Sequence, residues 1–454
     1  MGHSNQEPSH YPWRSSKWLI VSTISIAVFA DTFLYAFLVP ILGYIFENRL
    51  QVNPSQTQTF TSGILAIHGL CSAISGPVIG HFADKSVSRK SLLLLALVGC
   101  ILGTALIACA HSLYLLFLGR VVQGIAGSLV WIVGFATVAE TVGDDSIGAV
   151  MGVVTSFAHA GIISGPMISG FLFGLAGYWA AWSVPLAVLI VDVIARLIMV
   201  ERPHEPQPEP SSETSETEST SLLESSRRSH DATTTLGFYG ILLSSGRVVT
   251  ALLVSVSIVS LNTGFDATLP LHIRHAFGWG TSATGLLFFC LSIPAVVLTP
   301  IAGWLRDRIG TRIPATIAFL VQAVVMALHG IAGTDYFAWS SAETGGRVFF
   351  RASILAIGML QPFILGVAPI ELTAFVKEKQ ELTPGIFGPR GGLSRTFSMT
   401  EVAATLGMII GPVLSGSLTE LVGYSYMSWT WSVLSIILAC LVFRFLKSNQ
   451  RQES

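Results

Sequence analysis

Twelve apolar runs constrain this chain more than any other feature. They lie near residues 18–40, 59–82, 91–111, 113–139, 147–174, 177–200, 246–272, 281–304, 314–333, 348–375, 395–421 and 426–446. Each approaches or exceeds the roughly 20 residues that a helix needs to cross a bilayer. Of 454 residues, 51% are hydrophobic and only 11% charged, against about 25% charged in soluble domains. Mean hydropathy is +0.66. No water-soluble core could hide that much apolar surface, so the expected class is an all-α membrane protein of twelve transmembrane helices, embedded in the lipid bilayer.

Other classes are disfavoured by composition. A net charge of −1 gives no footprint for nucleic acid. The five cysteines, 71, 100, 109, 290 and 440, sit in apolar runs without C-x-x-C spacing. They read as packing residues, so neither a disulfide framework nor a metal site is expected. No G-x4-G-K-[ST] loop is present, which argues against ATP drive. No hydrolase constellation stands out, and no cofactor is expected. The polar residues 1–16 lack the layout of a cleavable signal peptide.

Six runs lie on either side of a segment, 201–235, rich in Ser, Thr, Glu and Pro. Such a segment cannot bury enough apolar surface to fold, and a tether between halves is expected; phosphoregulation is the competing reading. The organisation predicted is a tail at 1–16, a six-helix bundle at 17–200, a disordered cytoplasmic linker at 201–245, a second bundle at 246–446 and a tail at 447–454. With both termini in the cytoplasm, twenty of the 25 lysines and arginines fall on that side. Four (Arg49, Arg274, Arg347, Arg351) fall on the other, and Arg120 lies inside the fourth run. That bias supports the orientation.

The halves also repeat. Gly80-x3-Asp84-Lys85 follows the second run, and Gly303-x3-Asp307-Arg308-Ile-Gly310-Thr-Arg312 follows the eighth. The eleventh run carries Gly407, Gly411-Pro412 and Gly416, echoing Gly152, Gly161, Gly165-Pro166 and Gly170 in the fifth. Small residues allow helices to approach closely in lipid, and Gly407, Gly411 and Gly416 are expected roughly on one helix face. Two six-helix pseudo-repeats follow.

Charged groups inside spans are costly and mark function by default. The candidates for proton coupling are Asp31 in the first run, His68 in the second, Asp266 in the seventh, Glu371 late in the tenth and Glu401 in the eleventh, the last expected to face a central cavity. Tyr35, Arg120, Gln123, Asn262 and Gln361 are candidates for substrate binding or support of coupling. An acid in a low-dielectric site holds its proton nearer neutral pH, while a nearby cation opposes this. That competition can exchange a proton for a cationic substrate. The plain alternative is an acid that only ties helices together, and for Arg120 a structural guanidinium bonded to carbonyls. Asp84, Lys85, Arg89, Asp307, Arg308 and Arg312 are candidates for cytoplasmic gating, against simple positive-inside anchoring.

The spacing G-x8-G-x3-G-P-x2-S-G resembles the fifth-helix antiporter motif of the major facilitator superfamily, with Ser169 at one glycine position. The loops after the second and eighth runs resemble that superfamily's G-x3-D-[RK]-x-G-R-[RK] signature, and Val87 and Ser88 depart from it in the first copy. Arg120-x2-Gln123-Gly124 is similar to a fourth-helix motif. Asp31 through Pro40 and Thr400-Glu401 through Pro412 resemble the vesicular amine branch of the drug:proton antiporters. In that branch the acids of helices 7 and 10 correspond to positions near Leu269 and Ile364, which are apolar here. The resemblance implies the superfamily's fold and a proton-coupled antiporter exporting a small amphipathic or cationic compound, of the fungal multidrug or metabolite exporter type. It also implies a monomer in the plasma membrane, with vacuolar or vesicular membranes as alternatives. The competing readings are a proton symporter or uniporter importing a nutrient, and a receptor on a transporter fold.

If the repeated loops gate the cytoplasmic side, Asp84→Asn or Asp307→Asn disturbs conformational cycling and leaves substrate affinity intact. Cysteine accessibility from each side, unchanged in both variants, would reduce these loops to topological anchors.

Overall fold

The computed structural model describes residues 16–85, 89–142, 147–199, 235–338, 340–343, 345–383, 386–387 and 393–447. The side chains of Asp84, Lys85, Glu140 and Asp307 fall outside the described residues, so the gating expectation at Asp84, Lys85 and Asp307 is not addressed by it. The 201–234 part of the linker lies outside it too.

Helices form where the apolar runs are. They are α1 (Lys17–Phe37), α2 (Thr57–Lys85), α3 (Arg89–Ala108) and α4 (Leu113–Val142), followed by a continuous stretch Ile147–Ile198. Gly177, at φ +81°, breaks that stretch into α5 (147–176) and α6 (178–198). A left-handed residue without Cβ strain requires glycine there. Next come α7 (Gly246–Phe277), α8 (Thr281–Ile309) and α9 (Arg312–His329). Helix α10 is in two pieces, Gly346–Ile364 and Val367–Leu382, around Gly366 at φ +82°. Then come α11 (Leu393–Leu421) and α12 (Tyr424–Phe445). Among the described residues, eleven helical stretches are long and apolar enough to cross a membrane. Dividing one of them at Gly177 gives twelve.

The linker expectation is corrected at its end. Thr235–Leu243 is helical, and its Phe238 and Leu242 are fully buried with Val248, Ala251, Leu372 and Val376. Tyr239 and Ile241 pack against the same cluster, so the tether ends before residue 235.

The chain divides into two compact units. The first comprises 1–203 with 263–292 and 408–424; the second comprises 204–262, 293–407 and 425–454. In the first, α1 is enclosed almost all round, with Ile24, Val28, Phe33 and Phe37 at 0% exposure. Glycines of α5 allow this. A Cβ on Gly165 would come within 2.8 Å of the Phe33 carbonyl and 2.9 Å of the Phe37 nitrogen, and one on Gly161 would strike Thr32. Farther along, Gly170 faces α8, where a Cβ on Gly285 would lie 2.7 Å from the Pro166 carbonyl. Pro166 itself is buried. Gly152 corrects the packing expectation. It is exposed, and a Cβ there would meet nothing within 4 Å.

The single glycine face expected of α11 is also corrected. Gly407 meets Val256 and Val259 of α7, and Gly411, followed by the buried Pro412, lies beside Gly264 of α7. Gly416 meets Ser62 of α2. A step of four residues turns a helix by about 40° net, but a step of five turns it by about 140°. Gly416 therefore reaches a different neighbour.

Arg196, one of the twenty charges assigned to the cytoplasmic side, is 1% exposed and bonded to Asp192 one turn earlier (2.7 and 2.8 Å) and to the Leu93 carbonyl. Breaking such a pair leaves one charge uncompensated, at a cost of about 3–5 kcal/mol. Asp192→Asn should lower the melting temperature in detergent sharply, and Asp192→Leu with Arg196→Met should recover most of the loss.

Candidate functional site

The first unit gathers a polar cluster among apolar helices. Asp31 of α1 is 8% exposed and accepts a hydrogen bond from the Trp131 indole nitrogen of α4 (3.0 Å to Oδ2). Gly127, one turn before Trp131, makes room for the carboxylate. A Cβ there would sit 2.6 Å from Oδ1 and 3.1 Å from Oδ2.

One turn along α1, Tyr35 is packed between two polar groups. The Arg120 guanidinium lies 4.9 Å from its ring centre, and the His68 ring of α2 lies 4.9 Å from it on centroids. Arg120 is 0% exposed. It donates to the Tyr35 carbonyl and to Gln123 Oε1, both at 3.2 Å, and Gln123 donates in turn to Thr104 of α3 at 3.0 Å. None of the described carboxylates lies within ion-pair distance of it, so its charge reaches Asp31 and Asp266 only through space. Tyr35 Oη, His68 Nδ1 and Arg120 Nε are buried without hydrogen-bond partners. Asp266 of α7 is half-buried and acts electrostatically on both Arg120 and Tyr35. The structure thus brings together Asp31, Tyr35, His68, Arg120, Gln123 and Asp266, from α1, α2, α4 and α7.

The second unit holds the remaining candidates. Gln361 of α10 donates to Asn262 of α7 at 2.6 Å. Glu401 is exposed on α11. Glu371 is corrected as a free intramembrane acid. It is 3% exposed and ion-paired with Arg247 at 2.5 Å, and it accepts from the Thr311 hydroxyl. Arg247 also meets Glu378 at 3.1 Å, and Glu378 meets Lys447 at 2.6 Å. These bonds tie α10 to the start of α7 and to the cap of α9. Arg308 lies over the Trp304 ring (4.4 Å) and Arg312 over the Phe443 ring (4.3 Å), while Arg89 opens α3 half-buried.

Sequence reasoning missed three partners. Trp131 looked like one more apolar residue, and only the packing of α4 on α1 turns its N–H to Asp31. Asp192 was legible as an i, i+4 partner of Arg196. Glu47, which pairs with Arg274 at 2.5 Å beyond the end of α1, carried no local signal.

The family model described as Major Facilitator Superfamily matches residues 24–374. The chain belongs to this superfamily. An MFS-type transporter of Schizosaccharomyces pombe is 30% identical over 418 residues, covering 90% of this chain and 91% of the relative. The multidrug resistance protein MdtG of Proteus mirabilis is 22% identical and covers 99% of both chains. Among solved structures, a D-xylose-proton symporter shares the fold with a TM-score of 0.68 at 14% identity, covering 95% of this chain and 98% of that one. This superfamily member is therefore an integral, multi-pass membrane transporter and not an enzyme.

Gly127→Ala should push the Asp31 carboxylate off Trp131. Added bulk in a packed site costs about 1–3 kcal/mol, so the variant should still fold. Transport is expected to fall at least about tenfold, since a small misplacement of a reacting group has large effects on rate. Initial transport rates alongside thermal melts separate these two effects.

Proposed function

We propose that this transporter is a proton-coupled antiporter that exports a small amphipathic or cationic compound by alternating access. The observation that carries this reading is the pair of acids, Asp31 and Asp266, set around a fully buried Arg120 that lacks a bonded carboxylate. A proton on either acid neutralises a charge that burial disfavours. A cationic substrate can replace that proton, and Arg120 opposes simultaneous occupation by both. The glycine contacts of α5 with α1, and the resistance function named for MdtG, agree with export. Asp31 and Asp266 carry protons in this scheme, while Tyr35, His68 and Gln123 position Arg120 and the substrate. Glu401 is a second candidate proton carrier. The protein acts as a monomer in the plasma membrane.

Asp31→Asn keeps the shape of the side chain and removes its titration. In proteoliposomes with an imposed proton gradient and a panel of organic cations, the wild type should accumulate substrate against the proton flux. Asp31→Asn should fall to the level of empty liposomes while its melting temperature stays near that of the wild type. Full gradient-driven transport by the variant would remove Asp31 as the carrier, and accumulation in the direction of proton flow would replace export with symport.

A further inference from the structure

Away from the polar cluster, the first unit encloses a cavity of about 260 Å³. It lies at the end of the helices that the charge bias assigns away from the cytoplasm. Beyond α1 the chain runs on in short helical turns, Val39–Ile41, Leu42–Tyr44 and Ile45–Arg49, which bring Tyr44 and Asn48 to it. Gly278, at φ +66°, turns the chain from α7 into α8 within three residues, a left-handed step that glycine takes without strain. Trp279, next in that turn, stacks on Phe277 with centroids 4.8 Å apart. Tyr44 meets Phe173 of α5 edge-on, also at 4.8 Å. Three rings, Tyr44, Phe173 and Trp279, therefore line the cavity, and Arg274, Asn48 and Thr281 add a guanidinium, a carboxamide and a hydroxyl.

The lining has a sign. It includes the guanidinium of Arg274 and, among the described residues, no carboxylate. Glu47, the partner of Arg274, takes only one end of the fork: its Oε1 meets Nη2 at 2.5 Å and the Thr57 hydroxyl at 3.0 Å. Nη2 also lies 3.5 Å from His275 Nε2. Nη1 points elsewhere. A Cβ on Gly43, itself part of the lining, would sit 3.5 Å from Nη1 and 3.4 Å from Leu271. The missing side chain at Gly43 leaves Nη1 open to the cavity.

We infer that this cavity is a binding site for a single-ring aromatic carboxylate, its ring among Tyr44, Phe173 and Trp279 and its carboxylate on Nη1 of Arg274. A planar guanidinium can serve two carboxylates on separate edges, and such charge-assisted hydrogen bonds are the strong ones. Aromatic walls favour a ring offset or edge-on to them. The volume falls below the roughly 300–1,000 Å³ of drug-sized sites, which limits the occupant to about one ring. A ligand that touches α5, α7, α8 and the turns after α1 at once favours the arrangement in which they meet. The site uses none of the residues assigned to proton exchange and stands apart from the antiporter reading.

The test is equilibrium dialysis of purified full-length protein with radiolabelled benzoate, benzylammonium and acetate, alongside thermal melts. The wild type should bind benzoate at least about tenfold more tightly than the other two, since benzylammonium brings the wrong charge and acetate no ring. Saturating benzoate should raise its melting temperature. Gly43→Ala sets a methyl beside Nη1 at ordinary contact distance, so the variant should fold as the wild type does. Its benzoate affinity should fall about tenfold, in line with the loss of one charge-assisted hydrogen bond. Asn48→Asp, at an exposed position, brings a like charge to the cavity and should weaken benzoate by a similar factor while the unliganded melting temperature stays put. Benzylammonium or acetate bound as tightly as benzoate overturns the assignment. So does benzoate affinity unchanged in either variant, or a wild type that binds no benzoate.

Discussion

A charge withdrawn from water must find a partner, and the arrangement of this transporter's interior follows from how each buried charge does so. Asp192 and Arg196 neutralise one another within a single turn of α6. Glu371 is held by Arg247 and Thr311. Arg120 differs. It is fully buried yet bonded only to a backbone carbonyl and an amide oxygen, with Asp31 and Asp266 acting on it from a distance. Two of these arrangements are closed and serve the fold. The third leaves a buried charge without a bonded carboxylate, and the proposed proton exchange is assigned to it.

Close helix approach makes that cluster possible. Gly161 and Gly165 bring α5 against α1, Gly124 brings α4 against α2, and Gly127 admits the carboxylate of Asp31. Gly124 has no room for a Cβ, which would lie 2.8 Å from the His68 carbonyl. Without hydrophobic drive between helices in lipid, such packing and the hydrogen bonds it permits hold the bundle together. The glycines are therefore part of the site as well as part of the scaffold, since they set the distance from Trp131 and Arg120 to α1.

The relatives and the geometry speak to different questions. Membership of the superfamily fixes a multi-pass transporter. The cluster on α1, α2, α4 and α7 bears on what moves and what drives it, because residue types and distances there determine which charges can be exchanged.

By itself the sequence determined the membrane class, the twelve helices and the identity of the charged residues inside them. Hydropathy and charge cost act on each segment locally, so no neighbour needs to be known. Asp31, Arg120 and Asp266 were legible on this ground, and so were the glycines as packing residues. The tertiary structure alone decided which charges are closed off and which stay open. Glu371 and Arg196 read as functional or cytoplasmic until Arg247 and Asp192 were seen beside them. Gly152 shared a motif with Gly165 but faces no helix, and Gly416 turned to α2. Trp131 became a partner of Asp31 only through the rotation of α4 against α1, 100 residues apart in sequence. Pairing between helices depends on their rotation and separation, and a pattern within one helix does not encode the angle at which its neighbour presents itself.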